Sequence, residues 1–578
     1  MINILARIAV AAVLAAASVP VWGAITVIVD GLSGEEKANV EARLTIRQQA
    51  NRDKLDRRIV RRLHRQAPED VREALQPFGY YSPEIRSELS GAPPNWTAHY
   101  TIDAGAPTTV EALDIRIEGE GHDAEAIAEA RDKLPIKLGE RLRHARYEEA
   151  KSALMNAAFN AGYVDAHWTQ SQLRVRPESR QAQLVLHLDT GPRYYFGEIA
   201  IDASGLDQDF IRRYLVMEPG DPFSPRTVLE QQFIFSDLGY FDTVEIEPLR
   251  DQAGEDHRLP MSITTTPRKR ARYSFGVGYG TDTGARVSIG AEWRRLNARG
   301  HTANANLRLS QRESTLASEY VIPQGDRPGE SLSFSAGLTS QELPDGRTDK
   351  YQVGAALNRL SKNWRRRWYL LYSHEKSDFG DETVTADLLT PGIALTRDKS
   401  DDPIRPTRGL YAFFDVHGAQ EPFLSSATFL QEHVLVRGVY GVTPRLRVFG
   451  RAEGGWTQTQ SFSELPATQR FFAGGDQSVR GYAYQSLAPK DDDGNVLGGR
   501  YLATFSVEGE YRIHGNIAGA LFADAGGADD SLPPKLHIGV GPGLRYRVPI
   551  GDLRLDIGLP LDQGADPYRI HLGVRVGL

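Results

Sequence analysis

The 578-residue sequence contains no cysteine. That removes disulfides, thiolate metal sites and cysteine nucleophiles together, and it fits a chain that crosses an oxidising compartment without mispairing. The motifs G-x-S-x-G, H-E-x-x-H and G-x-x-x-x-G-K-[ST] are also missing, so no enzymatic activity and no cofactor are expected. The 14 histidines are scattered, and no metal site is expected. A net charge of −7 and a pI near 6.1 give no reason to expect a nucleic-acid partner. Downstream of the first residues, no apolar run is long enough for a helical membrane span, which needs about 20 residues.

What is present divides into three parts. Residues 1–24 read as a signal peptide: Arg7 and the α-amine, an apolar run from Ile8 to about Ala17, then small residues ending in Gly23-Ala24. From 25 to 267, helical stretches such as PEDVREALQPF and RTVLEQQFIFSDL alternate with strand-like runs such as QAQLVLHLDTG. Gly79-Tyr80-Tyr81, Gly162-Tyr163-Val164 and Gly239-Tyr240-Phe241 recur 83 and 77 residues apart, each closing a helix and opening a strand. DAGAP at Asp103–Pro107 and DTGP at Asp189–Pro192 mark unit ends. Three α+β repeats are expected, at 25–106, 107–191 and 192–267. The basic stretch RRIVRRLHR, Arg57–Arg65, reads as an amphipathic helix with a solvated face.

From 268 to 578 the helical period gives way to alternation in runs of about ten residues. The last run sets Tyr568, Ile570, Leu572, Val574 and Val576 against Arg569, His571, Gly573 and Arg575. Alternation gives a strand one apolar and one polar face. Arginine, histidine and glycine crowd the polar face, as in a water-filled lumen, and the pattern continues for about 310 residues. The expectation is an all-β transmembrane barrel of 16 antiparallel strands. Closure leaves no edge exposed to lipid, so the first strand (Tyr273, Phe275, Val277) is expected to pair with the last (Tyr568, Ile570, Leu572, Gly573). His537 and His571 are expected to line water.

Four stretches carry a resemblance: Val479-Arg480-Gly481-Tyr482, Phe522-Ala523-Asp524-Ala525-Gly526, Pro406-Thr407-Arg408-Gly409, and GLRYRVPIGDLRLDIGLPL from Gly543 to Leu561. In this order, behind three GY-type repeats, the chain resembles the outer-membrane insertase superfamily that includes BamA and TamA. Three repeats and this length are similar to the TamA branch; the terminal Leu578 departs from the aromatic residue usual in BamA-like barrels. The resemblance implies POTRA domains in the periplasm before an outer-membrane barrel. It also implies a lid loop, here 461–500, folded into the lumen, with Arg480 pinned by Asp524. Phe522 and Gly526 share the Asp524 face, the glycine leaving room for the loop, and Glu510 is a helper.

The function implied is assembly of outer-membrane proteins such as autotransporters by strand addition at an opening seam, with the bilayer thinned nearby. The partners implied are a TamB-like inner-membrane-anchored protein, client barrel proteins and outer-membrane lipid. The alternatives are a two-partner secretion pore, or the outer-membrane end of a lipid-transport bridge.

Overall fold

The computed structural model describes residues 25–50, 56–93, 95–361, 363–379, 382–562 and 566–577. The expected signal peptide and Leu578 lie outside the described residues. The chain forms two compact units. One runs to Ala200 and takes in Met217–Leu229 and Glu247–Ser262; the other comprises Ile201–Val216, Glu230–Ile246 and Ile263–Leu578.

The N-terminal region holds three three-stranded sheets, each built the same way. Strands β1 (Ile25–Asp30), β2 (Glu84–Ala92) and β3 (Asn95–Asp103) order as β1-β3-β2. Strands β4 (Thr109–Glu118), β5 (His167–Arg176) and β6 (Gln181–Asp189) order as β4-β6-β5. Strands β7 (Tyr195–Ile201), β8 (Phe241–Pro248) and β9 (Arg258–Pro267) order as β7-β9-β8. In each, the last strand of the unit lies in the middle. The helices are α1 (Gly34–Arg43), α2 (Thr45–Gln48), α3 (Arg57–Leu75), α4 (Glu125–Asp132), α5 (His144–Asn160), α6 (Gln208–Arg212) and α7 (Pro225–Asp237).

Helix α3 starts where Asp56 accepts the Ile59 amide at 2.8 Å. Its Val60, Leu63, Ala67, Val71 and Ala74 recur at helical spacing and are buried against Trp96, Ala98, Tyr100 and Ile102 of β3. Arg57, Arg58, Arg61, Arg62 and Arg65 stay exposed on the other face. The three GY glycines have φ of 86°, 99° and 78°, a left-handed bend that lets the following strand return along the helix. The D-x-G pairs are turns: Asp103 accepts from the Gly105 amide and Asp189 from the Gly191 amide, each at 2.9 Å.

Sixteen antiparallel strands follow, each paired with its neighbours in chain order. They are β10 (Ala271–Gly280), β11 (Gly284–Trp293), β12 (Thr302–Ser310) and β13 (Glu313–Pro323), then β14 (Ser331–Leu343), β15 (Gly346–Ser361), β16 (Trp364–Phe379) and β17 (Glu382–Ser400). The second half comprises β18 (Arg408–Ala419), β19 (Phe429–Gly441), β20 (Leu446–Thr459) and β21 (Tyr501–His514), then β22 (Ile517–Asp529), β23 (His537–Val548), β24 (Gly551–Pro560) and β25 (Arg569–Arg575). Outward positions such as Phe275, Val353, Leu370, Val507 and Leu521 are exposed apolar residues, while inward ones such as Glu375, Thr504, Glu508 and Arg545 are buried and polar. This is the reverse of a soluble sandwich, and it places an apolar solvent outside the wall.

The expected closing pair does not form a ladder. Among the described residues, two hydrogen bonds meet β25 at one point, through Thr281 just beyond the end of β10. The Thr281 amide donates to the Leu572 carbonyl at 3.4 Å, and the Leu572 amide to the Thr281 hydroxyl at 3.3 Å. By contrast β10 and β11 are in register over ten pairs. Two causes are visible. β25 is only seven residues long, and beyond it the Gly577 amide donates to the Ile404 carbonyl in the β17–β18 turn at 3.0 Å. The last residues thereby leave the edge they would have shared with β10.

Candidate functional site: a pinned lid loop beside an unpaired seam

A 16-stranded barrel is wide enough to hold a channel unless something fills it. Here the segment between β20 and β21, 460–500, lies against the inner wall. Its two short 3₁₀ turns, Phe462–Glu464 and Ala467–Gln469, lead to contacts spread around the lumen. The Ala467 amide donates to the Ser377 hydroxyl at 3.0 Å, the Thr468 amide to Glu375 at 3.0 Å, and Gln431 to the Gln469 carbonyl at 3.0 Å. Farther along, the Val496 amide donates to Asp345 at 2.8 Å. Val479 is wholly buried, in a cluster with Ala473, Tyr482, Leu487, Leu502 and Ala528.

Arg480 sits at the centre of a buried ionic network. Its Nε and Nη2 donate to the two oxygens of Asp524 at 2.7 and 2.9 Å. Nη1 reaches Glu508 at 2.6 Å and Asp556 at 3.2 Å. The Arg480 amide also donates to Asp524, at 3.1 Å. The guanidinium lies 3.5 Å from the centre of the Phe522 ring, a cation over a π face. A two-pronged Arg–carboxylate pair fixes orientation as well as distance. Removing one partner of such a buried pair costs roughly 3–5 kcal/mol, because the other charge is left unmatched.

Glu510 does not assist Arg480, contrary to the expectation. It lies two residues beyond Glu508 on the same face of β21, and one strand step is about 6.8 Å. At that level it meets Arg447 at 2.7 Å, Arg545 at 3.2 Å and Arg575. Glu508 and Asp556 are the helpers, and the sequence reading missed both. Gly526 also has a different role. A Cβ there would lie 2.8 Å from the Thr504 Cα and 2.7 Å from the Ala503 carbonyl, so the close approach is between β22 and β21. The glycines that admit the loop are Gly539 and Gly558: a Cβ would stand 1.9 Å from the Arg480 carbonyl at the first and 2.3 Å from the Gly481 nitrogen at the second.

The loop tip also holds the last strands. The Gly481 amide donates to His571 Nε2 of β25 at 3.0 Å, so His571 carries its proton on Nδ1, toward Asp282 at 3.9 Å. Tyr482 donates to the Ile538 carbonyl at 3.1 Å and to Asp562 at 2.9 Å. His571 is therefore a buried partner of the loop rather than a residue lining water, and His537 pairs with Asp562. The P-T-R-G turn meets the same network: Arg447, bound to Glu510 and Asp552, donates to the Pro406 carbonyl at 3.3 Å.

The seam residues face the other way. Tyr273, Phe275 and Val277 of β10 are 64%, 80% and 89% exposed. Ile570 and Leu572 of β25, and Tyr568 just before it, are exposed as well. Gly573 faces inward, toward Asp476 of the loop.

The Omp85 superfamily domain matches residues 296–578, and the first POTRA domain of the TamA type matches residues 26–104. The chain belongs to the Omp85 superfamily. It is 23% identical over 396 residues to the outer membrane protein assembly factor BamA of Nitratidesulfovibrio vulgaris, spanning 65% of this chain and 49% of that one. It is 24% identical over 476 residues to BamA of Neisseria meningitidis, spanning 72% and 56%. The chain thus spans about half the length of these relatives. The crystal structure of Haemophilus ducreyi BamA lacking POTRA domains 1–3 shares the fold, with a TM-score of 0.67 at 17% identity over 81% of this chain and 99% of that one. POTRA-type sheets followed by an Omp85 barrel place the protein in the outer membrane.

Proposed function

We propose that this Omp85 protein is a TamA-like assembly factor, with its POTRA domains in the periplasm, that inserts client outer-membrane proteins such as autotransporters by strand addition at the β10–β25 seam. The observation that carries the reading is the seam itself, two hydrogen bonds at Thr281 and Leu572 where every other neighbouring pair has a ladder. An unpaired strand edge is a template for an incoming strand. The pinned lid loop gives the opening a stable frame, because its tip ties Asp524, Asp556 and His571 into one body, and it reaches the β10–β11 turn through the Asp476 amide, which donates to Asp282. Nothing in this role needs a catalytic group or a cofactor. The periplasmic partner is an elongated TamB-like protein anchored in the inner membrane, engaged by augmentation of a POTRA sheet edge.

The test uses the absence of native cysteine. Thr281→Cys with Leu572→Cys places a thiol on each side of the seam. Oxidation is expected to stop assembly of a client barrel in cells, and a reductant to restore it. Normal client assembly with the seam locked would contradict insertion at this edge. It would favour export through the lumen or conduction of lipid instead.

A further inference from the structure

The wall opposite the seam carries an unmatched row of cations on its lipid-facing side. On β16 the outward positions run Trp364, Arg366, Trp368, Leu370 and Tyr372; on β17 they end Ile393, Leu395, Arg397, Lys399; on β18 they begin Arg408, Leu410. The register joins these into one patch. Trp364 is opposite Arg397, since Arg365 pairs with Thr396; Leu410 is opposite Lys399; and Arg408 is opposite Tyr440 of β19. Arg366, Arg397, Lys399 and Arg408 thus follow one another diagonally across three strands. All four stand at the strand ends nearest the β15–β16 and β17–β18 turns, just beyond the exposed apolar band. By the reading above, that end is periplasmic.

Among the described residues none of the four has a carboxylate within ion-pairing distance. The contrast with Arg359 is direct: it stands opposite Arg366 and is matched by Glu330 at 3.4 Å. The two acids of the β17–β18 turn are occupied by backbone amides. Asp401 accepts the amides of Thr407 and Arg408 at 2.8 and 3.0 Å, and Asp402 those of Ile404 and Arg405 at 2.8 and 2.7 Å. Arg397 Nε is buried without a hydrogen-bond acceptor. Aromatic rings hold the side chains at this level: the Arg397 guanidinium is 5.8 Å from the Trp364 ring and that of Arg408 is 5.6 Å from Tyr440.

Like charges placed this closely repel, and a cation facing lipid is tolerated only near the interface. An arginine fork matches a phosphate with two parallel hydrogen bonds. Basic and aromatic residues at this depth meet phosphate headgroups. We propose that Arg366, Arg397, Lys399 and Arg408, framed by Trp364 and Tyr440, form a binding site for a net-anionic phospholipid headgroup of the periplasmic leaflet. This rests on the periplasmic placement of the POTRA domains. The site lies on the seventh to ninth of 16 strands, half-way round the wall from the seam, and the turn between Lys399 and Arg408 reaches back across to the last strands, where the Ile404 carbonyl accepts from Gly577.

The experiment places the full chain in nanodiscs of mixed phosphatidylglycerol and phosphatidylcholine. Lipid retained through mild delipidation is counted by native mass spectrometry, a readout that needs no client and is independent of seam opening. Wild type is expected to retain phosphatidylglycerol about fivefold over its share of the mixture. R366Q/R397Q/K399Q/R408Q should reduce that to parity, and R366K/R397K/R408K should keep it within twofold. Neutralising α3 instead (R57Q/R58Q/R61Q/R62Q) should change nothing. Heat-dependent gel mobility reports barrel folding. Should the fourfold variant not fold, R366Q/K399Q is expected to lose at least half of the enrichment. No enrichment in wild type, enrichment kept in the neutralised barrel variants, or its loss in the α3 variant would each overturn the site.

Discussion

The two sides of the barrel are built from the same alternating pattern and yet differ in height. On the far wall, β15 and β16 have 16 residues each and β17 has 19. At the seam, β10 and β24 have ten and β25 has seven. With a rise near 3.4 Å and a tilt near 45°, β17 stands about 45 Å high and β25 about 17 Å. The apolar band of such barrels is about 25 Å tall. The far wall exceeds it, β10 about matches it, and β25 falls short of it. Lipid beside the seam must thin or tilt to cover the exposed residues of β10 and β25, a mismatch that costs fractions of a kcal/mol per Å. The side with the fewest hydrogen bonds to break is therefore also the side where the bilayer is least at ease.

Inside the barrel the asymmetry is reversed. The seam side, from β20 to β25, holds the dense network of Arg447, Arg480, Arg545 and Arg575 with Glu508, Glu510, Asp524, Asp552 and Asp556. The comparison predicts the largest effect there. Arg480→Ala should lower barrel stability by about 3–5 kcal/mol, as expected for breaking a buried ion pair. Urea unfolding followed by gel mobility checks it. Arg366→Ala on the outer far wall should stay within about 0.5 kcal/mol.

A smaller effect is expected from Gly558→Ala, whose added methyl would meet the backbone of Gly481 and Arg480. A cost of about 1–3 kcal/mol follows from overpacking, along with faster protease cleavage in 460–500. Gly450→Ala and Gly509→Ala, with open space at the Cβ, should leave cleavage unchanged. Equal effects at all three positions would remove the loop–wall fit from the account.

The smallest effect lies outside the barrel. Burial lowers the pKa of His64, beside the Tyr100 hydroxyl at 3.0 Å, and that of His144, beside Tyr81 at 2.6 Å. A lowered value means the folded form binds fewer protons than the unfolded form. The stability from keeping these rings neutral is complete above the ordinary histidine range and is lost as pH falls through the folded values. Urea midpoints of the POTRA sheets should therefore fall between pH 7 and pH 5, and His64→Gln should flatten the fall in the first.

Much of this was legible in the residues. The GY recurrences located the three sheets, with D-x-G marking the ends of the first two, because a left-handed C-cap favours glycine and an Asx turn favours aspartate or asparagine. Period-two alternation gave the barrel and its 16 strands, and the Val479–Tyr482 motif pointed to Asp524. What the sequence did not carry was register. Glu508 and Glu510 differ by one step on one face, and only strand pairing decides which meets Arg480. Gly539 and Gly558 read as ordinary barrel glycines until the loop is laid against them. The open seam was missed for a similar reason. The apolar alternation of β10 and β25 suits either a ladder or a lipid face, and the bond from Gly577 to Ile404 is a contact between residues 173 positions apart.

The most direct test of the central claim is where a client strand first touches the barrel. Single cysteines at Tyr273, Phe275, Val277 and Tyr279 on β10, and at Trp368, Leu370 and Tyr372 on β16, can be paired with a client stalled during assembly that carries a cysteine in its last strand. Disulfide bonds are predicted to form at β10 in an alternating, register-dependent series and to be absent at β16. Crosslinks spread equally over both walls, or confined to the lid loop, would contradict insertion at the seam.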